Sequence, residues 1–197
     1  AIPSGTGQVY TVERVWYHPG VRRFLMGERD FSVRSMDPKE GNIDTYSPDL
    51  AVLQLSSAGP DLTVEFPVAT AQELTSLFAE SAAIMGFPGH DTSWPQLGEN
   101  AASTFHDGVI SRVTNFDLKA NVPPGEMQFL QYTMSDWGGF SGSPVILPSG
   151  RVAGVHNMAR STGKDSVSGV PKVIPHGIRV DCVVEMLVHH GLDDKVS

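Results

Sequence analysis

The run Gly138-Gly139-Phe140-Ser141-Gly142-Ser143-Pro144 constrains this chain more than any other, because it sits between two runs rich in β-branched and aromatic residues, MQFLQYTM and PVILPSGRVAGVHNM. Such a pattern dictates strand, tight loop, strand. Glycines two and three places before Ser141 and one place after it let the backbone come close to a ligand and aim amide N–H groups at it. The serine then occupies the loop tip, where its hydroxyl can attack a carbonyl and the resulting oxyanion can be caught. Taken by itself the loop also reads as a plain Gly/Ser turn, and the loop alone does not choose between the two.

The remaining residues spell a β protein. Residues 8–17 and 30–36 alternate apolar and polar side chains and predict two strands. The Pro-, Gly- and Asp-rich stretch 37–48 then delivers Asp49 to an apolar strand, Leu50 to Leu55. An aspartate at that point is either a turn residue or a half-buried, oriented carboxylate. Residues 56–68 connect, and Thr70-Ala71-Gln72-Glu73 matches a capping box opening a short helix from Ala71 to Phe78. The second half predicts strands near 82–87, 107–114, 127–134, 143–147, 151–157 and 170–175, with an aperiodic loop at 88–106. Asp181 is the expected N-cap of a closing helix, Cys182 to His190, whose apolar face is Val183, Val184, Leu187 and Val188.

Six strands fit a Greek-key barrel, whereas the three of the first half cannot close one and would leave exposed edges. The fold class expected is therefore all-β, with a partial N-terminal barrel over residues 1–69 and a C-terminal barrel with its closing helix over residues 70–197. The strands missing from the first barrel lie N-terminal to Ala1, on a separate chain, or are absent with the edge covered otherwise.

Composition removes several classes of function. At 40% hydrophobic the chain can bury a sizeable core, and it holds no apolar run of membrane-spanning length. A net charge of −8 argues against nucleic acid or an anionic membrane as partner. Arg14, Arg22, Arg23, Arg29 and Arg34 crowd one region, but Glu13, Glu28 and Asp30 interleave with them, which describes a solvated face. Cys182 is alone, so no internal disulfide forms, and its apolar surroundings predict a buried thiol. Glu185 and His189 share a helix face, but a metal site would need a second ligand pair. The chain opens at Ala1-Ile2-Pro3 with no signal peptide, as a mature or cut product would.

Several motifs together resemble the chymotrypsin-fold, trypsin-like serine proteases. Gly138 to Val145 followed by Gly154-Val155-His156 is similar to the G-G-N-S-G-S-P-V and G-I-H of the bacterial glutamyl-endopeptidase branch. Asp49-Leu50-Ala51-Val52-Leu53-Gln54-Leu55 resembles the D-[IL]-A-[LV]-L-x-L that carries that family's triad aspartate, and Gly86-Phe87-Pro88-Gly89 resembles the G-[YF]-P-G that opens its second barrel. The similarity runs in motif order from about residue 9 to 190. No T-A-A-H or T-N-x-H is found for the triad histidine.

The resemblance implies two Greek-key barrels of the chymotrypsin type and a serine endopeptidase acting on peptide or protein substrates without metal or organic cofactor. It assigns Ser141 as nucleophile, Asp49 as the carboxylate that orients a histidine, and the Gly139 and Ser141 amides as the oxyanion hole. A separate N-terminal segment would then supply the histidine and complete the first barrel. His18 precedes Asp49 in the required order, but His18-Pro19 resembles the pair that follows the catalytic histidine, which leaves it between lesser alternative and turn residue. The same family would line its primary pocket with Ser135, Asp136, His156 and Asn157. His156 favours an acidic substrate side chain and Asp136 repels one, so the two are expected to pair and to abolish strict glutamate preference, unless Asp136 only caps a loop amide. Phe140 replaces the aspartate that pairs with a new N-terminus in trypsin-like zymogens, and activation by that salt bridge is not expected. A secreted or periplasmic location is implied by the resemblance only.

Two other hydrolase patterns fit less well. An α/β-hydrolase elbow requires glycine where Ser143 stands. The order Asp49, His90 or His106, Ser141 matches subtilisins, but Pro144-Val145-Ile146-Leu147 reads as strand where their serine heads a helix. A catalytically dead, protease-like module that binds peptides by strand addition is the rival class.

Overall fold

The computed structural model of the chain describes residues 2–3, 9–17, 50–56, 66–87, 103–115, 119–123, 126–134, 139–164 and 171–192. Its dominant feature is a closed six-stranded antiparallel barrel. The barrel strands are β5 (Ser81–Gly86), β6 (Thr104–Thr114), β7 (Phe129–Tyr132), β8 (Pro144–Ile146), β9 (Val152–Lys164) and β10 (Pro171–Arg179). Two three-strand meanders, β5-β6-β7 and β8-β9-β10, are joined by β5 pairing with β8 and β7 with β10. That is a Greek-key closure, in which each of the six strands has a partner on both sides.

Inward-facing side chains of the strands supply the core, with β7 buried along its whole length. Ile84, Ile110, Leu130, Val145 and Ala153 point inward and are completely buried, with Tyr132, Met134 and Phe140 beside them. Each of the Ile, Leu and Val side chains contributes roughly 1.5–3 kcal/mol on removal from water. Gly154 and Gly177 sit where β9 and β10 approach most closely; a Cβ on Gly154 would lie 2.5 Å from the Ile178 carbonyl oxygen.

The first half contributes strands in pairs. β1 (Ile2–Pro3) pairs with β2 (Val9–Tyr10), and β3 (Val12–Tyr17) pairs with β4 (Ala51–Leu55). The strand expected over residues 8–17 is thus interrupted at Thr11, β4 starts one residue after Leu50, and the strand expected over residues 30–36 lies outside the described residues. Among the described residues these ladders do not close, in keeping with an incomplete first barrel. Leu50 nevertheless docks on the second barrel, buried with Phe129, Ile178, Cys182 and Met186.

Among the described residues two helices flank the barrel. The capping box at Thr70 forms as its sequence predicts: the Glu73 N–H donates to Thr70 Oγ1 at 3.2 Å, and the Thr70 N–H donates to Glu73 Oε2 at 2.8 Å. The helix, α1, spans Ala71–Thr75 and ends three residues before the expected Phe78, because Ser76 leaves helical geometry and Ala79 takes a positive φ of 64°. Glu73 also accepts from Ser149 Oγ at 2.8 Å, while the Arg151 guanidinium donates to the Val68 carbonyl at 2.9 Å, fastening this segment to the β8–β9 turn. The hydrogen bond from the Thr70 amide, with those from Ser149 and the Thr70 hydroxyl, holds the Glu73 carboxyl below the ordinary range.

The closing helix, α2, spans Val180–His189, and here two expectations are corrected. Arg179, not Asp181, is the N-cap residue; Asp181 lies in the first turn and accepts from Arg179 Nε at 3.2 Å and from its terminal nitrogen at 2.6 Å. The buried face is rotated toward Val180, Cys182 and Met186: Val180 joins the main barrel core, Cys182 and Met186 meet Phe129 and Ile178, and of the expected face Val183 packs partly buried while Val188 is left 56% exposed. Cys182 is buried as its surroundings predict, and that burial pushes its thiol up to about 12.

Candidate active site

Loop 139–143 departs from the barrel between β7 and β8. Gly139 (φ 110°) and Gly142 (φ 89°) both adopt left-handed backbone, which a side chain would oppose. The two inversions bury Phe140 completely and leave Ser141 exposed beside it. Main-chain bonds hold the loop: Ser143 N–H donates to the Phe140 carbonyl at 2.9 Å, Gly142 N–H to the His156 carbonyl at 2.8 Å, and His156 N–H to the Ser143 carbonyl at 2.8 Å. The last two stitch it to β9, beyond the point where β8 stops pairing at Val155.

Ser141 Oγ donates to the Asn157 carbonyl at 3.2 Å, so those two residues, taken from separate strands of sequence, meet at the loop tip. Among the described residues no oxygen accepts a hydrogen bond from the Gly139 or Ser141 N–H. His156 lies directly beneath, 2% exposed, with Nδ1 hydrogen-bonded to the Tyr132 hydroxyl and its ring centroid 6.5 Å from that of Phe140. Ser141, Gly139, His156 and Asn157 are therefore brought together. Asp49, Ser135, Asp136 and His18 lie outside the described residues.

Three contributors take on roles that the sequence did not signal. Tyr132 supplies the polar partner of a buried imidazole; its place in an alternating strand signalled only burial. His106, expected in the loop 88–106, belongs to β6 and packs edge-on against Phe140 at 5.1 Å between centroids. Gly86, read as part of a barrel-opening motif, forms the floor under the loop: a Cβ there would lie 2.2 Å from Ser143 Oγ and 2.7 Å from the Phe140 ring. Glu185 is exposed on α2, and among the described residues no three potential ligands gather around a metal position.

A Greek-key barrel with a glycine-bounded serine loop and a closing helix defines the chymotrypsin-like fold. Residues 3–155 match the family of the trypsin-like peptidase domain, and the chain belongs to that family. Among solved structures it is similar to a Glu endopeptidase in complex with MPD, with a TM-score of 0.55 and 14% identity over 95% of this chain. The likeness covers 66% of that longer chain, and at this identity it speaks to the fold alone. No curated protein matches the chain.

Proposed function

We propose that this chain is the nucleophile-bearing part of a serine endopeptidase. The carrying observation is the exposed Ser141 held between two left-handed glycines, with the Gly139 and Ser141 amides beside it. In the proposed reaction Ser141 Oγ attacks the scissile carbonyl while a histidine takes its proton. Those amides stabilise the oxyanion, the proton passes to the leaving amine, and water then hydrolyses the acyl-enzyme. Asp49 orients the histidine; its sequence neighbour Leu50 packs on Phe129 and Ile178 of the nucleophile's barrel, which supports that role. A separate N-terminal segment would bring the base and complete the barrel of residues 1–69, so the chain alone should be slower by on the order of 10⁶. Ser135, Asp136, His156 and Asn157 form the pocket, with Asp136 and His156 paired so that glutamate is not strictly preferred.

One observation favours a second reading, the catalytically silent peptide-binding module: the Ser141 hydroxyl is engaged by the Asn157 carbonyl. A peptide-library digest with the protein made from its full reading frame separates them. Cleavage that disappears in Ser141→Ala supports the peptidase. Binding without cleavage supports the module, and strong cleavage confined to sites after Glu would contradict the neutralised pocket.

A further inference from the structure

A hydroxyl offered from a glycine loop wanders unless something pins the backbone next to it, because glycine carries the largest conformational freedom of any residue. Here the neighbouring residue is Phe140, and its ring is the loop's only deeply seated large side chain among the described residues. We infer that Phe140 is a positioning residue: its ring, resting on the β5 backbone at Gly86 and flanked by His106 and His156, holds loop 139–143 in the shape that presents Ser141 and its amides. The inference rests on the serine-nucleophile reading.

The contacts are specific to a ring at this place. A Cβ on Gly86 would come within 2.7 and 3.3 Å of two Phe140 ring carbons, so the ring lies directly on the strand, and any side chain at 86 would lift it. His106 meets it at 66° and 5.1 Å, and His156 at 82° and 6.5 Å, edge-on geometries that aromatic rings favour. Residue 140 bears no charge, so its hold on this loop is packing rather than an ion pair. Gly86, in β5, thereby acts on Ser141 through Phe140 and Ser143, none of which need touch substrate.

An ordinary core residue, once trimmed, would loosen the whole barrel together, whereas an anchor would free the loop first. Amide hydrogen exchange on the full chain makes the distinction with Phe140→Ala, Phe140→Leu and Gly86→Ala. Exchange at Gly142, Ser143 and His156 is compared with exchange at Ile84, Ile110 and Leu130. In Phe140→Ala and Gly86→Ala the loop amides should exchange about tenfold faster relative to the barrel amides, with Phe140→Leu between parent and Phe140→Ala. Loop and barrel amides changing in step, or no change at all, would overturn the inference. Should Phe140→Ala not fold, the other two variants give the same reading.

The second readout is the rate at which a fluorophosphonate modifies Ser141 in the protein from its full reading frame. That rate should fall in Phe140→Ala and be partly restored in Phe140→Leu. Unchanged labelling across all variants removes the positioning role. A parent that is never labelled, with loop exchange still following the expected order, sinks the serine-nucleophile reading and leaves the anchor standing.

Discussion

The two halves of this molecule solve the same packing problem to different degrees. In the second half six strands close on themselves, and Ile84, Ile110, Leu130 and Val145 are completely buried. In the first half the described strands pair only two by two, and Val15 and Leu53, directly opposite each other on β3 and β4, are 36% and 44% exposed. Closure gives each strand a partner on both sides and gives a loop on the barrel rim a rigid base, which the proposed nucleophile requires. The carboxylate of the proposed triad belongs to the half without that closure. The contrast teaches that the described serine loop 139–143 is fastened to the closed barrel, while the proposed activation of the serine draws on the other half.

If that is right, core truncation should hurt unequally. Leu130→Ala in the barrel should cost about 2–5 kcal/mol by chemical denaturation, whereas Leu53→Ala should stay within about 0.5 kcal/mol. Comparable losses would break the contrast.

Alkaline pH tests the seam between the halves. Burial pushes the Cys182 thiol up to about 12, so the fold favours its neutral form. The stability it contributes is whole below the unfolded thiol's value and declines by up to about 1.4 kcal/mol for each pH unit above it, until the folded value is reached. Denaturation midpoints at pH 8 and 10.5 should show the decline, and Cys182→Ala should abolish it. Native protein at pH 8 should also resist iodoacetamide.

Beneath the loop, Tyr132→Phe deletes the hydroxyl that partners the buried His156. The loss should be about 1–3 kcal/mol, seen as a lowered melting temperature without loss of the barrel's circular dichroism signature. At the entry to the barrel, Thr70→Ala removes the α1 cap and should cost about 1 kcal/mol. Because the Glu73 carboxyl is held low, its contribution is present above the ordinary carboxylate pKa and fades as pH falls through the lowered folded value. Thr70→Ala should therefore hurt less in acid than at neutral pH.

Much of the second barrel could be read from the sequence because its signals are local. Short runs between turn residues marked the six strands, glycines marked the loop that buries Phe140 and exposes Ser141, and Thr70-x-x-Glu73 marked a cap. What escaped depends on distant partners. The face that α2 buries was set by Phe129 and Ile178, and the helix start by Arg179, rather than by the helix's own apolar pattern. His106 joined a strand because β6 pairs with β5 up to Gly86, and Gly86 matters through Phe140 and Ser143, 54 and 57 residues away in sequence, where no local pattern records it. Asp136 rests on motif alone, and Asp49 on motif together with the packing of its neighbour Leu50.

The central claim is that Ser141 is an activated nucleophile in the protein made from its full reading frame. Intact-mass measurement after fluorophosphonate treatment, followed by peptide mapping, tests it directly. A single adduct on Ser141 that vanishes in Ser141→Ala is the predicted result; no adduct, or one carried by another residue, would contradict it.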